Sequence, residues 1–305
     1  MNKKLTFLFV LIALFPAFIF CQQSSLQDLD SIKLIKPGAS LVTVSKQFSF
    51  TEGPAVDKNG NIFFTDQPND KIWKYDTDGN LTIFMDKAGR SNGMLFDKKG
   101  RLISCADEKD QLWAIDPDGK VEILLTNFGG HLFNGPNDLW IEKKGGIYFT
   151  DPYYQRDYWE RKKPALNNQS VYYLPKGAKA AVIVDSTLVK PNGIVGTPDG
   201  KWLYVADIGD NKTYKYQINK DGSLTDRQLF VPQGSDGMAL DEQGNIYLTG
   251  KGITIYDAAG MKIGSIAVPS GWTANLCFGG KERKTLFITA STAVYTLQMQ
   301  VKGVE

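Results

Sequence analysis

The sequence predicts an all-β protein, a six-bladed β-propeller in which an N-terminal strand pairs with the last blade and closes the ring. Three observations predict it: a two-stranded unit recurs six times, the units are spaced like propeller blades, and one strand near the N terminus has no local partner. The unit is clearest at Asn134–Asp151, where a polar corner, a short apolar strand, a glycine-containing turn and a second strand follow one another. Two β-rich runs joined by such a turn are typical of a hairpin.

Each repeat opens its first strand at a residue whose side chain carries an oxygen. These opening residues are Glu52, Asn92, Asn137, Asn192, Asp236 and Asn275. Their spacings are 40, 45, 55, 44 and 39 residues. A period of roughly 40–50 residues with several strands per repeat is typical of propeller blades. Further strand pairs with Asp-Gly turns, such as KIWKYDTDG followed by LTIFMD in the first repeat, complete four-stranded blades.

The sixth repeat is one strand short, because only AVYTLQMQ follows LFITA there. The segment SLVTVSK, Ser40–Lys46, precedes the first repeat and has no partner in it. We expect this segment to complete the sixth blade, which would remove two open sheet edges. No candidate helix longer than one or two turns is visible in the sequence.

The N terminus is interpreted as a targeting segment. Two lysines precede the apolar run Leu5–Phe20, which is short for a membrane span, so residues 1–21 are predicted to be a secretory signal peptide. The alternative is a lipoprotein acylated at Cys21, although Phe20 stands where a small residue is required. We therefore expect a secreted or periplasmic protein without a stable membrane span.

Residues 22–38 are predicted to be a polar tether and residues 39–305 a single propeller domain. The whole chain has 35 basic and 33 acidic residues, and residues 1–21 hold two lysines and no acid, which leaves 33 of each sign. A balance near zero gives no electrostatic footprint for nucleic acid or an anionic membrane. No protein partner is evident from the sequence.

The six opening residues suggest a metal site. In a propeller the innermost strand of each blade lines the central channel, so these side chains should converge at one depth. Carboxylate and amide oxygens in such a ring suit a hard cation such as Ca²⁺. The alternative is that turns leading into strands favour Asn and Asp, which explains Glu52 poorly.

Zinc is excluded by the scarcity of its usual ligands. His131 is the only histidine. Cys105 and Cys277 lie on apolar strands of different repeats, which favours buried thiols over a disulfide. The common zinc ligand sets therefore cannot be assembled.

The longest spacing between repeats comes from an insertion, Pro152–Gln169, after the second strand of the third repeat. It holds three tyrosines and a tryptophan, which argue against disorder, and it has no clear periodicity. Loops of this length are usually functional or disordered. We expect the insertion to form a rim segment over one end of the channel.

Several segments together resemble the gluconolactonase/senescence-marker-protein family of regucalcin-like lactonases. These segments are TEGPAVD, GPNDLW, KPNGIVGTPDGKWLYVAD, SDGMALDEQGNIYLTG and NLCFGGKERKTLFITA, and TDPYY with RDYW is similar to its secreted branch. The resemblance runs in register from Phe50 to Leu297. It implies a six-bladed propeller with one divalent metal ion, commonly Ca²⁺, in the channel. It also implies hydrolysis of sugar lactones, while relatives hydrolyse other lactones or organophosphates.

Position by position, the resemblance implies three metal ligands, which are Glu52, Asn192 and Asp236. It implies Asn137 as a further ligand or as the residue that holds a metal-bound water. One departure lies just before Asn137, where members of the branch often have Gly-Lys-Arg-Leu-Asn-Ser. This chain has GHLFNG, so His131 and Leu132 replace the two basic residues that could contact a substrate.

Other residues near the ring are assigned by their place in the repeats. The candidates for substrate binding are Arg90, Asn92, His131, Tyr153 and its neighbour Tyr154. The aspartates that end second strands are interpreted as residues that cap turns, and they are Asp66, Asp151 and Asp207. The tryptophans on strands are interpreted as blade packing, and they are Trp73, Trp113, Trp140 and Trp202.

The expected function is a metal-dependent hydrolase that opens a sugar lactone. A divalent cation can polarise the lactone carbonyl, bind the developing oxyanion and lower the pKa of bound water. Asp236 is expected to act as general base as well as ligand, since a carboxylate beside the metal can take a proton from the attacking water. The alternatives are hydrolysis of other lactones or phosphotriesters on the same metal, or a non-catalytic binding propeller braced by the ion.

Overall fold

The computed structural model describes residues 34–304, which form six four-stranded antiparallel sheets. The innermost strands of neighbouring sheets contact one another all the way around, from the first sheet to the sixth and back. The sheets therefore surround a central channel, and the predicted six-bladed propeller is confirmed. The described residues hold two short 3-10 helices, Gln67–Asn69 and Asp107–Lys109, and no helix in this range is long and apolar enough to cross a membrane.

The strands of each blade are named inner, second, third and outer, from the channel to the rim. The inner strands are Thr51–Val56, Ser91–Phe96, Leu139–Ile141, Pro191–Gly196, Met238–Leu240 and Thr273–Gly279. The second strands are Ile62–Asp66, Leu102–Ala106, Ile147–Asp151, Trp202–Asp207, Ile246–Gly250 and Thr285–Ala290. The third strands are Lys71–Tyr75, Gln111–Ile115, Ser170–Leu174, Lys212–Ile218, Gly252–Tyr256 and Ala293–Gln298. The outer strands are Leu81–Asp86, Val121–Leu125, Val182–Asp185, Leu224–Val231, Lys262–Ile266 and, in blade 6, Val42–Ser45.

The outer strand of blade 6 comes from the N-terminal side of the domain. Val42–Ser45 pairs antiparallel with Ala293–Gln298, and Val42 lies opposite Thr296. The predicted closure of the ring is thus confirmed. Because the closing strand ties the first blade to the last, it holds blades 1 and 6 together by backbone hydrogen bonds as well as by packing.

The segment just before the closing strand packs against blade 6. Leu34 and Ile35, which the sequence analysis places in the tether, are 1% and 4% exposed. Ile35 pairs with Met299, so this part of the predicted tether belongs to the folded domain. The predicted signal peptide, which includes Cys21, and tether residues 22–33 lie outside the described residues, and secretion stays a prediction.

The core lies between the faces of neighbouring blades. The four tryptophans predicted to pack blades each contact one of its hydrophobic clusters, and they are Trp73, Trp113, Trp140 and Trp202. Trp140 contacts two clusters, one on each side of the inner strand of blade 4. Cys105 and Cys277 are buried thiols in separate clusters, as predicted.

Three aspartates fasten the loops that lead into inner strands. Each lies at the end of a second strand and accepts two backbone N–H groups from the loop that precedes the inner strand of its own blade. The pairs are Asp66 with Ser49 and Phe50, Asp151 with Asn134 and Gly135, and Asp207 with Val189 and Lys190. The distances are 2.8 to 3.2 Å. Their predicted role in capping turns is confirmed.

Candidate functional site

One position near the start of each inner strand faces the channel at a common depth, and we name it the ring position. It is occupied by Glu52, Asn92, Asn137, Asn192, Asp236 and Ala274. In blades 1, 2, 4 and 6 the pairing of inner and second strands shifts register at this point. Such irregularities re-aim a side chain, and here they occur where side chains meet at the axis.

The sequence prediction for blade 6 is wrong by one residue. Strand pairing puts Ala274, and not Asn275, level with Glu52. Successive side chains of a strand point to opposite sides, so a slip of one residue takes the Asn275 amide out of the cavity lining at the ring position, although its hydrogen bond still lowers the pKa of Glu52. Asn275 instead approaches Asp138, with 3.4 Å between Nδ2 and Oδ2, beside a second cavity at the other end of the channel.

Glycines after the ring position let neighbouring inner strands approach closely. A Cβ on Gly53 would lie 1.9 Å from the carbonyl oxygen of Asn92, and one on Gly193 would lie 2.4 Å from that of Asp236. Real Cβ atoms do not approach an oxygen so closely. The glycines therefore allow the five polar ring residues to come together on the axis.

Hydroxyl groups of the second strands hold the backbone of the ring position from the side. In alternate blades a threonine donates to the carbonyl of the ring residue in the next blade. The pairs are Thr65 with Asn92, Thr150 with Asn192, and Thr249 with Ala274, at 3.5, 2.8 and 2.8 Å. The sequence analysis missed this layer, although its signal is the threonine in the FTD and LTG endings of the second strands of blades 1, 3 and 5.

A cavity of about 250 Å³ lies over the ring position. Its floor carries the five polar ring residues, Glu52, Asn92, Asn137, Asn192 and Asp236. All five side chains are buried, with exposures from 3% for Glu52 to 9% for Asp236. The structure thus brings together the four residues predicted as metal ligands and one predicted to bind substrate.

Two carboxylates share this cavity. Burial raises the pKa of Glu52 well above its usual range, the charge of Asp236 raises it further, and the Gly53 N–H at 2.9 Å acts in the opposite sense. Burial raises the pKa of Asp236 to about 6, against hydrogen bonds from the Trp272 indole and the Asn192 amide. Both acids therefore ionise at a higher pH than usual, and positive charge placed beside them favours their ionised forms, as Arg156 already does for Asp236.

The donor set fits a hard divalent cation. Two carboxylates and three amides converge, and oxygen ligands of these kinds suit Ca²⁺. Among residues 34–304 no cluster of three or more His, Cys, Asp or Glu side chains could hold a metal ion, so amide oxygens would have to complete the set. The amide of Asn192 donates through Nδ2 to Asp236 and Tyr154, which leaves its Oδ1 available as a ligand.

The walls of the cavity differ from one side to the other. Polar side chains stand over blades 1 to 3, where Gln67 and the insertion residue Arg156 line the cavity. Apolar side chains stand over blades 4 and 6 and the start of blade 1, and they are Ile208, Trp272 and Phe50. Tyr154 completes the wall and accepts a hydrogen bond from Asn192 at 3.1 Å.

The pattern that defines the SMP-30/Gluconolactonase/LRE-like region matches residues 50–292, which is most of the chain. The chain belongs to the SMP-30/gluconolactonase/LRE-like family. A gluconolactonase of Zymomonas mobilis is 29% identical over 290 residues, covering 85% of this chain and 81% of that protein. The structure of a gluconolactonase from Xanthomonas campestris superposes with a TM-score of 0.82 at 28% identity, covering 88% of this chain and 92% of that one.

A more distant member of the fold is a calcium-binding regucalcin from Agrobacterium tumefaciens. It superposes with a TM-score of 0.73 at 19% identity, covering 87% of this chain and 95% of that one. This likeness shows the shared propeller. The family resemblance stated from the sequence is thereby confirmed by comparisons that span the whole ring.

Three residues predicted to bind substrate in this family member lie outside the cavity lining. Arg90 donates to the carbonyl of Pro68 at 2.7 Å and stacks over the ring of Tyr158, so it supports the wall from behind. His131 is exposed and pairs through its backbone with Phe128. The hydroxyl of Tyr153 bonds to Gln155, and its neighbour Tyr154 faces the cavity instead.

Proposed function

We propose that this member of the family is a metal-dependent hydrolase that opens sugar lactones. The observation that carries the proposal is the convergence of five side-chain oxygens from five blades in one cavity. The gluconolactonase of Zymomonas mobilis and that of Xanthomonas campestris support lactone hydrolysis as the reaction class. A lactonohydrolase of Aspergillus oryzae, 28% identical over 209 residues, adds to that support.

Glu52, Asn137, Asn192 and Asp236 would hold the cation, for which Ca²⁺ is our choice because every donor is an oxygen. When bound, a divalent cation polarises a carbonyl and favours ionisation of water. Asp236 is the proposed general base, and the Trp272 indole at 2.5 Å and the Asn192 amide at 2.8 Å orient its carboxylate. Water adds to the carbonyl carbon, the ring C–O bond breaks, and Asp236 passes the proton of the water to the leaving ring oxygen. The product is the open hydroxy acid.

The test is acid release from glucono-δ-lactone, measured against spontaneous hydrolysis, with the metal-loaded protein and after chelation. We expect turnover with Ca²⁺ or another divalent ion, loss with chelator, and recovery when metal is added back. A panel of δ-valerolactone, a γ-lactone and a phosphotriester separates the sugar-lactone assignment from the other hydrolyses. Absence of metal-dependent turnover on every member of the panel would leave only the binding propeller.

A further inference from the structure

The aspartate that follows the second strand of blade 2, Asp107, departs from the pattern of the corresponding aspartates in blades 1, 3 and 4. Asp66, Asp151 and Asp207 each bind two backbone N–H groups of their own blade. Asp107 instead directs its carboxylate to side chains of other segments, which are Gln67 at 3.2 Å, Arg156 at 2.7 Å and Tyr158 at 2.5 Å. Asp107 is 1% exposed, so its carboxylate is buried among these side chains.

The effect of Asp107 is to fix the insertion, and Arg156 in particular. The Trp159 indole donates to the Asp107 carbonyl at 3.0 Å, and Trp159 is 5% exposed. Arg161 pairs at 2.7 Å with Asp110, the residue that follows the 3-10 helix Asp107–Lys109. The insertion is thus held at several points, and its position over the channel does not depend on a single contact.

Arg156 lines the cavity while one edge of its guanidinium is anchored by Asp107. Its Nε donates to Asp107, and its two terminal nitrogens make no hydrogen bond to any other residue of the described range 34–304. Of the described residues that line the cavity, Arg156 alone is cationic. The loop at 130–135, where the branch often carries basic residues, brings no side chain to the cavity lining.

We propose that Arg156, positioned by Asp107, binds ring hydroxyl groups of the substrate and makes the site selective for polyhydroxylated lactones over alkyl lactones. This inference rests on the proposed lactone hydrolysis. Asp107 balances the charge of Arg156, so the pair favours neutral hydroxyl oxygens over an anionic substituent. The facing wall of Phe50, Ile208 and Trp272 suits the apolar face of the same ring.

The selectivity follows from the arrangement of the donors. A guanidinium presents its N–H groups in a rigid plane, and anchoring Nε removes most of the freedom that binding would otherwise cost. A lactone without hydroxyl groups leaves these donors partly shielded from water and without acceptors. Sites built to hydrogen-bond a hydroxyl reject analogues that lack it for this reason.

The first experiment compares glucono-δ-lactone with δ-valerolactone, which has the same ring without hydroxyl groups. Arg156→Gln should lower kcat/KM for glucono-δ-lactone by about 10- to 100-fold, mainly through KM, and change that for δ-valerolactone by less than about threefold. Arg156→Lys should recover part of the loss, and Asp107→Asn should show a smaller loss of the same selectivity. Arg227→Gln, on the outer strand of blade 4, is the matched control and should match wild type. An equal loss on both lactones, or no loss, overturns the inference.

A binding measurement separates this inference from the proposed function. The probe is 1,5-anhydro-D-glucitol, which has the ring and hydroxyl groups of the lactone but no carbonyl, with tetrahydropyran as its unhydroxylated counterpart. Ligand-observed NMR should show the glucitol bound by wild type at least about fivefold more tightly than by Arg156→Gln, and this holds even if no lactone is hydrolysed. Equal binding by the two proteins, or no binding by wild type, overturns the role of Arg156.

Discussion

The amide nitrogen of Asn192 lies 2.8 Å from Oδ1 of Asp236, across the boundary between blades 4 and 5. These residues are 44 positions apart in the chain, one repeat length. The contact exists because Gly193 lets the two inner strands approach until a Cβ would not fit between them. Asn192 thereby fixes the orientation of the proposed base Asp236, and its own Oδ1 remains available to bind the proposed metal ion.

Asp236→Asn should abolish most of the activity while sparing the fold. The amide is close in shape and can still accept the hydrogen bond from Trp272, whereas it cannot take a proton. Loss of a general base lowers the rate of the chemical step by about 10²- to 10⁴-fold, so we expect kcat on glucono-δ-lactone to fall by this factor. Thermal unfolding should change little or rise, because a carboxylate whose pKa burial raises to about 6 is costly to ionise in place. Exposed Asp78→Asn is the control. Activity within about tenfold of wild type would contradict the assignment of the base.

Divalent metal should stabilise the protein through the ring position. Binding to the folded state alone adds about 2.7 kcal/mol at a concentration 100 times Kd. We expect Ca²⁺ to raise the melting temperature of wild type, and Asn192→Ala to remove most of that rise.

The control for this experiment is Asn167→Ala, at an exposed position of the insertion. It should keep the full response to Ca²⁺. Calorimetry gives the melting temperature of each variant with Ca²⁺ and with chelator, and the difference between the two is its calcium response. A calcium response that Asn192→Ala leaves intact would place the ion elsewhere in the molecule.

Gly193→Ala should destabilise the protein and impair the site together. The added Cβ would lie 2.4 Å from the Asp236 carbonyl oxygen, so the inner strands of blades 4 and 5 must separate. Overpacking of this kind costs about 1–3 kcal/mol, to be measured by urea unfolding. Gly271→Ala is the matched control, since the nearest atom to its Cβ would be 3.8 Å away. Equal stability of the two variants would show that the close approach is not required.

Stability should fall with rising pH because of Asp151. Burial raises the pKa of Asp151 to about 7 from an ordinary value of 3.8, despite hydrogen bonds from the Asn134 and Gly135 backbones. Between these values the unfolded chain has lost the proton and the folded chain keeps it, so stability decreases as pH rises through this window. The slope from one such group is at most about 1.4 kcal/mol per pH unit.

Asp151→Asn removes this titration, so the stability advantage of wild type over the variant should shrink between pH 4.5 and 7.5 in urea unfolding. Asp76→Asn is the contrasting control. Hydrogen bonds from the side chain and backbone of Asn80 lower the pKa of Asp76, so its contribution is present at neutral pH and lost as pH falls through the folded pKa. If the stability of wild type relative to Asp151→Asn instead increased with pH, the argument that burial raises the pKa of Asp151 would be contradicted.

The repeat made much of the site predictable, because a period fixes which positions are equivalent. Glu52, Asn137, Asn192 and Asp236 were located by that equivalence, and the ring closure by a missing partner. The prediction for blade 6 named Asn275 where the structure has Ala274. Side chains alternate along a strand, and the shift in strand pairing that determines which residue faces the channel cannot be read from the sequence.

The walls of the cavity could not be predicted in the same way. Arg156 lies in an insertion without periodicity, so no repeat says which of its side chains face the channel. Asp107 occupies the same place in its repeat as Asp66, and only its contacts distinguish a residue that fixes the insertion from one that caps a turn. Residues that act through long-range contacts are those that a local pattern cannot assign.

The closing strand has a consequence for how the molecule is made. Blade 6 joins Val42–Ser45 to Ala293–Gln298, the strand of the propeller that is synthesised after all the others. Until that strand has been made, blades 1 and 6 cannot be joined, and the distance between Glu52 and Asp236 is not fixed. The proposed ion site is therefore expected to form only after the last strand of the propeller has been synthesised and the ring has closed.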